Sequence, residues 1–521
     1  MLTRGEPVED LIVASPLKSL AALLAGAITL TGCGMLSPLG LGQASDGSLN
    51  AQGRRGQVDT PDWAKNAVFY QIFPERFHNG NRANDPKGAE PWGSKPTYDN
   101  FMGGDLDGVL QKMPYLKDLG VTAIYFNPLF KASSNHKYNT ADYMQIDPAF
   151  GDLATFKRVL AAAHQNGIKV ILDGVFNHTG DDHWAFEDAR KNGQKSKYWN
   201  WYTIYGYPVV HSPKPNYNAW WGFGTLPQLR AKENPDVQKH LFEVTEYWTR
   251  QGIDGWRLDV PNEIDSDEFW RTFRKKVRAI NPEAYIVGEL WHEADRWLQG
   301  DQFDSTMNYV FRENVLNFFA YEKMSVDDLD ANLTQLRKRY HPEITQVMFN
   351  ITGSHDVPRV LTEAGGDKRK AKLMSLFQMT YPGTPVVYYG DEIGMVGGKD
   401  PDNRRTFDWN AAGQDQDMLG HYKQLIKLRK SSAALRTGEF RSILRHNHHR
   451  LFGFVRENGS EKVAVLMNAG HQTQDVALDV SSAFKDGTKL KEAMTGKTFT
   501  VQGGKVQAQL PAMSGAIFQK I

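Results

Sequence analysis

Gly255-Trp256-Arg257-Leu258-Asp259-Val260 is the segment from which the architecture of this chain can be read. It is short and largely apolar, and Gln251-Gly252 introduces it at the end of a helix-like segment, so it reads as a buried strand of a parallel sheet. Two opposite charges stand at its far end. Side chains two apart on a strand share a face, which puts Arg257 beside Asp259. A guanidinium at that range favours the ionised carboxylate, so Asp259 is expected to have a lowered pKa and to stay charged at neutral pH. On this strand alone two readings stay open, a buried pair that fixes the sheet or a catalytic group, because a permanent carboxylate there costs desolvation energy either way.

The same cadence recurs outward from that strand. Leu119-Gly120 precedes Val121 to Asn127, and Asn166-Gly167 precedes Ile168 to Asp173, each a helix-like segment ended by Gly before a short apolar run. Phe156, Val159, Leu160 and Ala163 fall on one helical face, as do Val237, Leu241, Val244 and Trp248, so the linking helices can cover a sheet. Eight strands are expected: Ala67 to Glu75, Val121 to Asn127, Lys169 to Phe176, Gly255 to Val260, Ala284 to Leu290, Phe303 to Tyr309, Gln346 to Thr352 and Thr384 to Tyr389. Such a set predicts an α/β fold, a (β/α)8 TIM barrel over 63–433, with its active site at the C-terminal strand ends. The interval after strand three is too long for one crossover helix, so an inserted, lid-like subdomain is expected from Asn177 to Asn234. From Ala434 short alternating strands such as Leu451 to Val455 and Lys462 to Met467 predict a C-terminal all-β antiparallel sandwich, 434–521.

Sixty-one basic residues against sixty acidic ones leave a net charge of +1, which gives no reason to expect nucleic acid as a partner. The N-terminal 33 residues read as a processing segment. Leu20 to Thr31 is an apolar, Ala-rich run behind Lys18, and it ends in Leu30-Thr31-Gly32-Cys33, which resembles the bacterial lipobox. Cys33 is the only cysteine, so no intrachain disulfide is possible, and it is expected to carry lipid and become the mature N-terminus. Glu6, Glu9 and Asp10 are unusual in a leader and place the expected start nearer Val13. Residues 34–62, rich in Gly, Ser, Gln and Pro, read as a flexible tether. The expectation is a cell-envelope lipoprotein or secreted protein facing an extracytoplasmic space, bound to membrane through Cys33.

The strand ends can be read as a set. Strand three ends Asp173-Gly174-Val175-Phe176-Asn177-His178, strand four carries Arg257 and Asp259, strand five ends Gly288-Glu289-Leu290, and Gly353-Ser354-His355-Asp356 follows strand seven. Together with Gly120 to Pro128 and Gly383 to Glu392, this order of motifs closely resembles the α-amylase family of glycoside hydrolases, from about Trp63 to the end of the chain. Cleavage through a covalent sugar intermediate needs an ionised nucleophile and a protonated acid about 5 to 5.5 Å apart, a spacing that neighbouring strand ends supply. The resemblance implies Asp259 as nucleophile, Glu289 as general acid and then base, and Asp356 as the group that holds sugar hydroxyls. It implies that His178 and His355 bond hydroxyls of the sugar being cleaved, that Tyr138 stacks beneath that ring, and that Arg257 keeps Asp259 charged. Trp291 would line the acceptor side, and Asp400 and Arg404 the glycone side.

Phe77-His78-Asn79-Gly80-Asn81, Asp259 to Glu263, Gly288 to His292 and Gly300 to Asp304 are similar to the neopullulanase and cyclomaltodextrinase branch. Two features depart from it. Where that branch has Met-Pro-Lys-Leu-Asn this chain has Leu226-Pro227-Gln228-Leu229-Arg230, and the stretch between Cys33 and Trp63 has no room for the branch's usual N-terminal β-domain, so a monomer is expected. The branch also implies a structural calcium ion held by Asn79, Asn81, Asn84, Asp85, Gly103 and Asp105, a set of hard oxygen ligands from two loops; the alternative is two ordinary polar turns. The activity implied is hydrolysis of α-glucosidic bonds in maltodextrins, starch, pullulan or cyclodextrins. A transglycosylase using the same residues and a non-catalytic glucan-binding surface lipoprotein are the alternatives.

Overall fold

The structure, a computed structural model, describes residues 58–521. The signal segment, Cys33 and nearly all of the tether lie outside the described residues. Eight short strands form one parallel sheet: β1 (Phe69–Ile72), β2 (Ala123–Phe126), β3 (Lys169–Gly174), β4 (Gly255–Leu258), β5 (Tyr285–Gly288), β6 (Ser305–Thr306), β7 (Phe349–Ile351) and β8 (Thr384–Tyr388). Neighbours pair in the order β6-β5-β4-β3-β2-β1-β8-β7, and a parallel bridge from Met307 to Phe349 brings β6 back to β7. The sheet is therefore a closed barrel.

Period-two alternation sorts each strand between two cores. Phe69, Tyr125, Ile171, Tyr285, Val287, Phe349 and Val386 fill the barrel interior, while Tyr70, Ile72, Ile124 and Val170 face the surrounding helices. The register of β4 decides the site. Arg257 stands opposite Asp173 of β3 and Val287 of β5, so its side chain enters the barrel between two strands that end in acids. Gly255 makes this possible at the other end, since a Cβ there would run into the Tyr285 carbonyl.

Several expected strands stop early for local reasons. Pro74 opens a helical turn, Pro74–Phe77, where its missing N–H costs nothing. Asn308 accepts from the Phe311 amide at 3.0 Å and starts a helix at Tyr309, which leaves β6 with two residues. Gln346 belongs to the helix Pro342–Val347. An antiparallel hairpin, Phe130–Ala132 with Thr140–Ile146, was not foreseen, and its turn carries Tyr138. The segment between β3 and the helix Pro235–Arg250 holds a helix, Trp184–Asn192, several short turns and isolated bridges; Asn234 closes it by accepting from the amides of Asp236 and Val237. After the short helix Ala433–Thr437 the chain forms a six-stranded antiparallel sheet beginning at Glu439, and Gln474–Asp479 pairs with Lys505–Leu510 as a second layer over a common core. Among the described residues no helix is long and apolar enough to cross a membrane.

Candidate active site

The barrel mouth is organised by one buried guanidinium. Arg257 Nη1 donates to Asp173 Oδ1 and Oδ2 at 2.8 and 3.0 Å and to Asp259 Oδ1 at 3.0 Å, and Nη2 lies 2.8 Å from Glu289 Oε2. One cation thus gathers acids from the ends of β3, β4 and β5. Glu289 is fixed from two further directions, by the Val260 amide at 3.1 Å and by Trp291 Nε1 at 3.2 Å. Asp356, on the loop after β7, accepts from Tyr309 Oη at 3.3 Å and lies 3.2 Å from His355 Nε2.

Electrostatics correct one expectation. Burial pushes the Asp259 carboxyl well above the ordinary range, and the charge of Glu289 adds to the push, against the pull of Arg257. Arg257 does not hold Asp259 ionised by itself because its single charge is divided among three carboxylates. Asp356 is raised to about 7, again by burial first and then by Glu289. Asp173 is raised by burial too, partly offset by Arg257. Acids this close titrate as a set rather than one by one.

A polar layer lies under the acids. Tyr138 Oη donates to Asp173 Oδ2 at 2.9 Å and lies 2.6 Å from His355 Nε2, with its ring parallel to that imidazole. Tyr125 Oη also donates to Asp173 Oδ2, at 2.6 Å. His178 is buried, its pKa lowered to about 4 by burial; it stacks on Trp220 at 5.2 Å and has no partner for Nε2. On another wall Arg404 donates to the His355 carbonyl at 3.0 Å, pairs with Asp400 at 3.1 Å and reaches to 4.0 Å from Asp356. Trp291 is 45% exposed and stacks on Tyr309 at 3.9 Å, which leaves an aromatic face open to solvent beside Glu289. The structure therefore brings Asp259, Glu289, Asp356, Tyr138, Arg257, His355, Asp400 and Arg404 into one bonded set, with Trp291 and His178 on its flanks.

Residues 71–418 match the family described as alpha amylase, catalytic domain, and residues 440–517 the family described as maltogenic amylase, C-terminal domain. The chain belongs to the α-amylase family. It is 47% identical over 461 residues to neopullulanase 2 of Thermoactinomyces vulgaris, covering 88% of this chain and 78% of that protein. It is also 47% identical over 445 residues to a cyclomaltodextrinase of Thermoanaerobacter pseudethanolicus, covering 84% and 76%. Among solved structures, a cyclomaltodextrinase superposes with a TM-score of 0.84 at 43% identity, over 89% of this chain and 79% of that one. Cyclic α-maltosyl-(1→6)-maltose hydrolase from Arthrobacter globiformis superposes with a TM-score of 0.81 at 38% identity, over 89% and 100%.

This α-amylase-family cleft contains residues that the motifs alone did not single out. Asp173 has no implied role within the strand-three motif, and Tyr125, Gln71 and Asn127 belong to no motif with a role, yet all four are bonded into the site. Their signal was weak but present, since each is a polar group at or next to the C-terminal end of an apolar barrel strand.

The proposed calcium ligands also come together. Asn79 Nδ2 donates to Asp85 Oδ1 at 2.7 Å, and a Cβ on Gly103 would collide with both side chains. Asp105 accepts from the amides of Gly80 and Asn81 at 3.1 and 2.8 Å. The Asn84 amide oxygen faces only acceptors, the Asn81 carbonyl and Asp105 Oδ2, and Asn79 Oδ1 is buried without a donor. Exchanging the Asn84 amide would relieve the first conflict. A hard cation among these oxygens would relieve both, so the residues fit the ion.

The raised acids carry a stability cost with a definite sign. Asp356 holds its proton more tightly in the folded protein than in the unfolded chain, so its contribution is fully present below about pH 4 and is lost as pH rises through about 7. Asp356→Asn is expected to raise Tm at about pH 8, by about 1–2 °C per kcal/mol recovered, and not to raise it at about pH 3.5. Thermal melts at the two pH values check this; a gain of equal size at both would show that charge is not the cause.

Proposed function

We propose that the Arg257 cluster carries out retaining hydrolysis of α-glucosidic bonds in maltodextrins, starch, pullulan or cyclodextrins. The single observation that supports this best is that one buried guanidinium holds Asp259 and Glu289 together on adjacent strand ends. The chain is an α-amylase-family glycosidase, and its relatives bear the names neopullulanase, cyclomaltodextrinase and maltogenic α-amylase. In this reading Asp259 attacks the anomeric carbon as the C–O bond to the leaving sugar breaks, and Glu289 gives that oxygen its proton. Glu289 then takes a proton from water, whose oxygen displaces Asp259 and restores both acids. Asp356, with His355, His178, Asp400 and Arg404, grips sugar hydroxyls, and Tyr138 lies under the ring.

Trp291 supports transglycosylation as a second outcome. An exposed aromatic face bonded to the acid offers a second sugar a place beside the leaving-group position, where its hydroxyl competes with water. Product analysis on maltodextrin, pullulan and cyclodextrin tests both outcomes: glucose and short maltosides indicate hydrolysis, and products longer than the starting oligosaccharide indicate transfer. No change in any of these substrates would remove the reading.

The calcium reading belongs to the same proposal. Asn79, Asn81, Asn84, Asp85, Gly103 and Asp105 would hold the ion, which when bound supplies charge that ties two loops together. Calcium at 100 times its Kd is expected to stabilise the chain by about 2.7 kcal/mol, seen as a higher Tm than in chelator. In Asp105→Asn the difference should shrink; equal melts of the native protein with and without calcium would rule out the site.

Cys33 is proposed to carry the lipid that holds the enzyme at a cell-envelope membrane, facing an extracytoplasmic space. Mass spectrometry of the native protein checks it, and an unmodified Cys33 would end that proposal. The enzyme is further proposed to work as a monomer, to be checked by its mass in solution.

A further inference from the structure

Gln71, a group that the proposed mechanism leaves unused, is fully buried on β1 beneath the acids. Its Nε2 donates to Asn127 Oδ1 at 3.0 Å and lies 2.9 Å from His355 Nδ1. An amide nitrogen has no lone pair to offer, so with Nε2 turned to this contact and Oε1 buried without a donor, His355 Nδ1 is the acceptor. The ring proton of the neutral imidazole then sits on Nε2. Nε2 lies 2.6 Å from Tyr138 Oη and 3.2 Å from Asp356 Oδ1, two oxygens that can receive a proton. Tyr138 Oη also accepts from Asn127 Nδ2 at 3.0 Å and passes its own hydrogen to Asp173 Oδ2 at 2.9 Å. The relay has one direction because a pure donor starts it and a carboxylate ends it.

We propose that Gln71 is a positioning residue that fixes the tautomer of His355, so that this histidine presents its one ring N–H on the Nε2 side, toward Tyr138 Oη and the substrate face next to Asp356. With the opposite tautomer, Nε2 would turn a lone pair toward the Asp356 carboxylate, and the Tyr138 proton would be drawn away from Asp173. Gln71 touches neither sugar nor acid. It acts through His355, Tyr138 and Asn127 and makes His355 a donor rather than an acceptor at the substrate face. Burial of His355, together with Arg404 and Arg257 nearby, keeps the ring neutral, which is the condition for a tautomer to matter.

The inference rests on the glycosidase reading for its consequence, but its first test does not. Nitrogen-15 NMR of the full chain with labelled histidine, assigned by the signal lost in His355→Asn, is expected to show His355 with a bare Nδ1 and a protonated Nε2. A protonated Nδ1 in the native protein would overturn the proposal without bearing on whether the enzyme cleaves glucan. Gln71→Glu keeps the shape and replaces the donor by an acceptor, so the proton should move to Nδ1 and kcat on maltotriose should fall about tenfold with KM little changed. Loss of activity with Nδ1 still bare would assign Gln71 a merely structural role and equally overturn the proposal. If Gln71→Glu does not fold, the native spectrum decides.

Discussion

Asp259→Asn should lower kcat by on the order of 10⁴-fold or more while leaving the folded state and glucan binding intact, because no covalent intermediate can form without the carboxylate. The structure adds a second expectation. Burial and the charge of Glu289 both oppose ionisation of Asp259, so the fold carries the cost of that charge at neutral pH and gains by its removal. The variant is therefore expected to melt at a higher temperature than the wild type at about pH 8 and to lose that advantage in acid. Turnover on maltotriose and thermal melts check the two halves separately. An active, purified Asp259→Asn protein would falsify the nucleophile assignment. An inactive protein with a lowered Tm would instead mean that Asp259 holds the barrel together through Arg257.

Glu289→Gln should separate the acid from the nucleophile. Losing proton transfer to the leaving oxygen costs about 10²–10⁴-fold, yet the cost depends on how much help that oxygen needs. An aryl α-maltoside with an acidic phenol leaves without a proton, so its bond cleavage should be slowed far less than that of maltotriose. The geometry favours this test: Gln keeps the length of Glu289, and its one amide oxygen can take the place of Oε2 beside the Val260 amide and Arg257, so only Trp291 Nε1, on a half-exposed ring, loses its acceptor. Equal losses on both substrates would show that Glu289 does not protonate the leaving group.

Together the two variants separate catalysis from scaffolding at a site where both use the same atoms. Arg257 bonds Asp173, Asp259 and Glu289, and Asp173 also receives Tyr125 and Tyr138. Such a network is rigid as well as reactive. A densely bonded buried network fixes its members' positions, which is what a nucleophile and an acid that must sit on either side of one bond require.

The sequence by itself determined the barrel. Helix-ending glycines before short apolar runs are local signals, and so is the inward phase of Arg257 and Asp259, because strand periodicity needs only neighbours in the chain. Eight strands and the acids at their ends follow from that pattern. Strand ends were less legible, since Pro74 and Asn308 start helical turns that an apolar run conceals. The hairpin turn under the site was missed for a related reason: Lys137 takes a positive φ of 64°, for which its residue type gives no warning. The upward shift of the Asp259 carboxyl was decided only by the tertiary structure. Arg257 on β4 and Asp259 just past its end predict a single ion pair, but β3 and β5 bring Asp173 and Glu289 to the same guanidinium, and burial withdraws the water that would have screened them. Gln71 and His355, 284 positions apart, meet only because β1 and the loop after β7 converge at the barrel mouth. Local pattern sets where a side chain points, whereas shared charge and proton direction depend on which distant groups point at it.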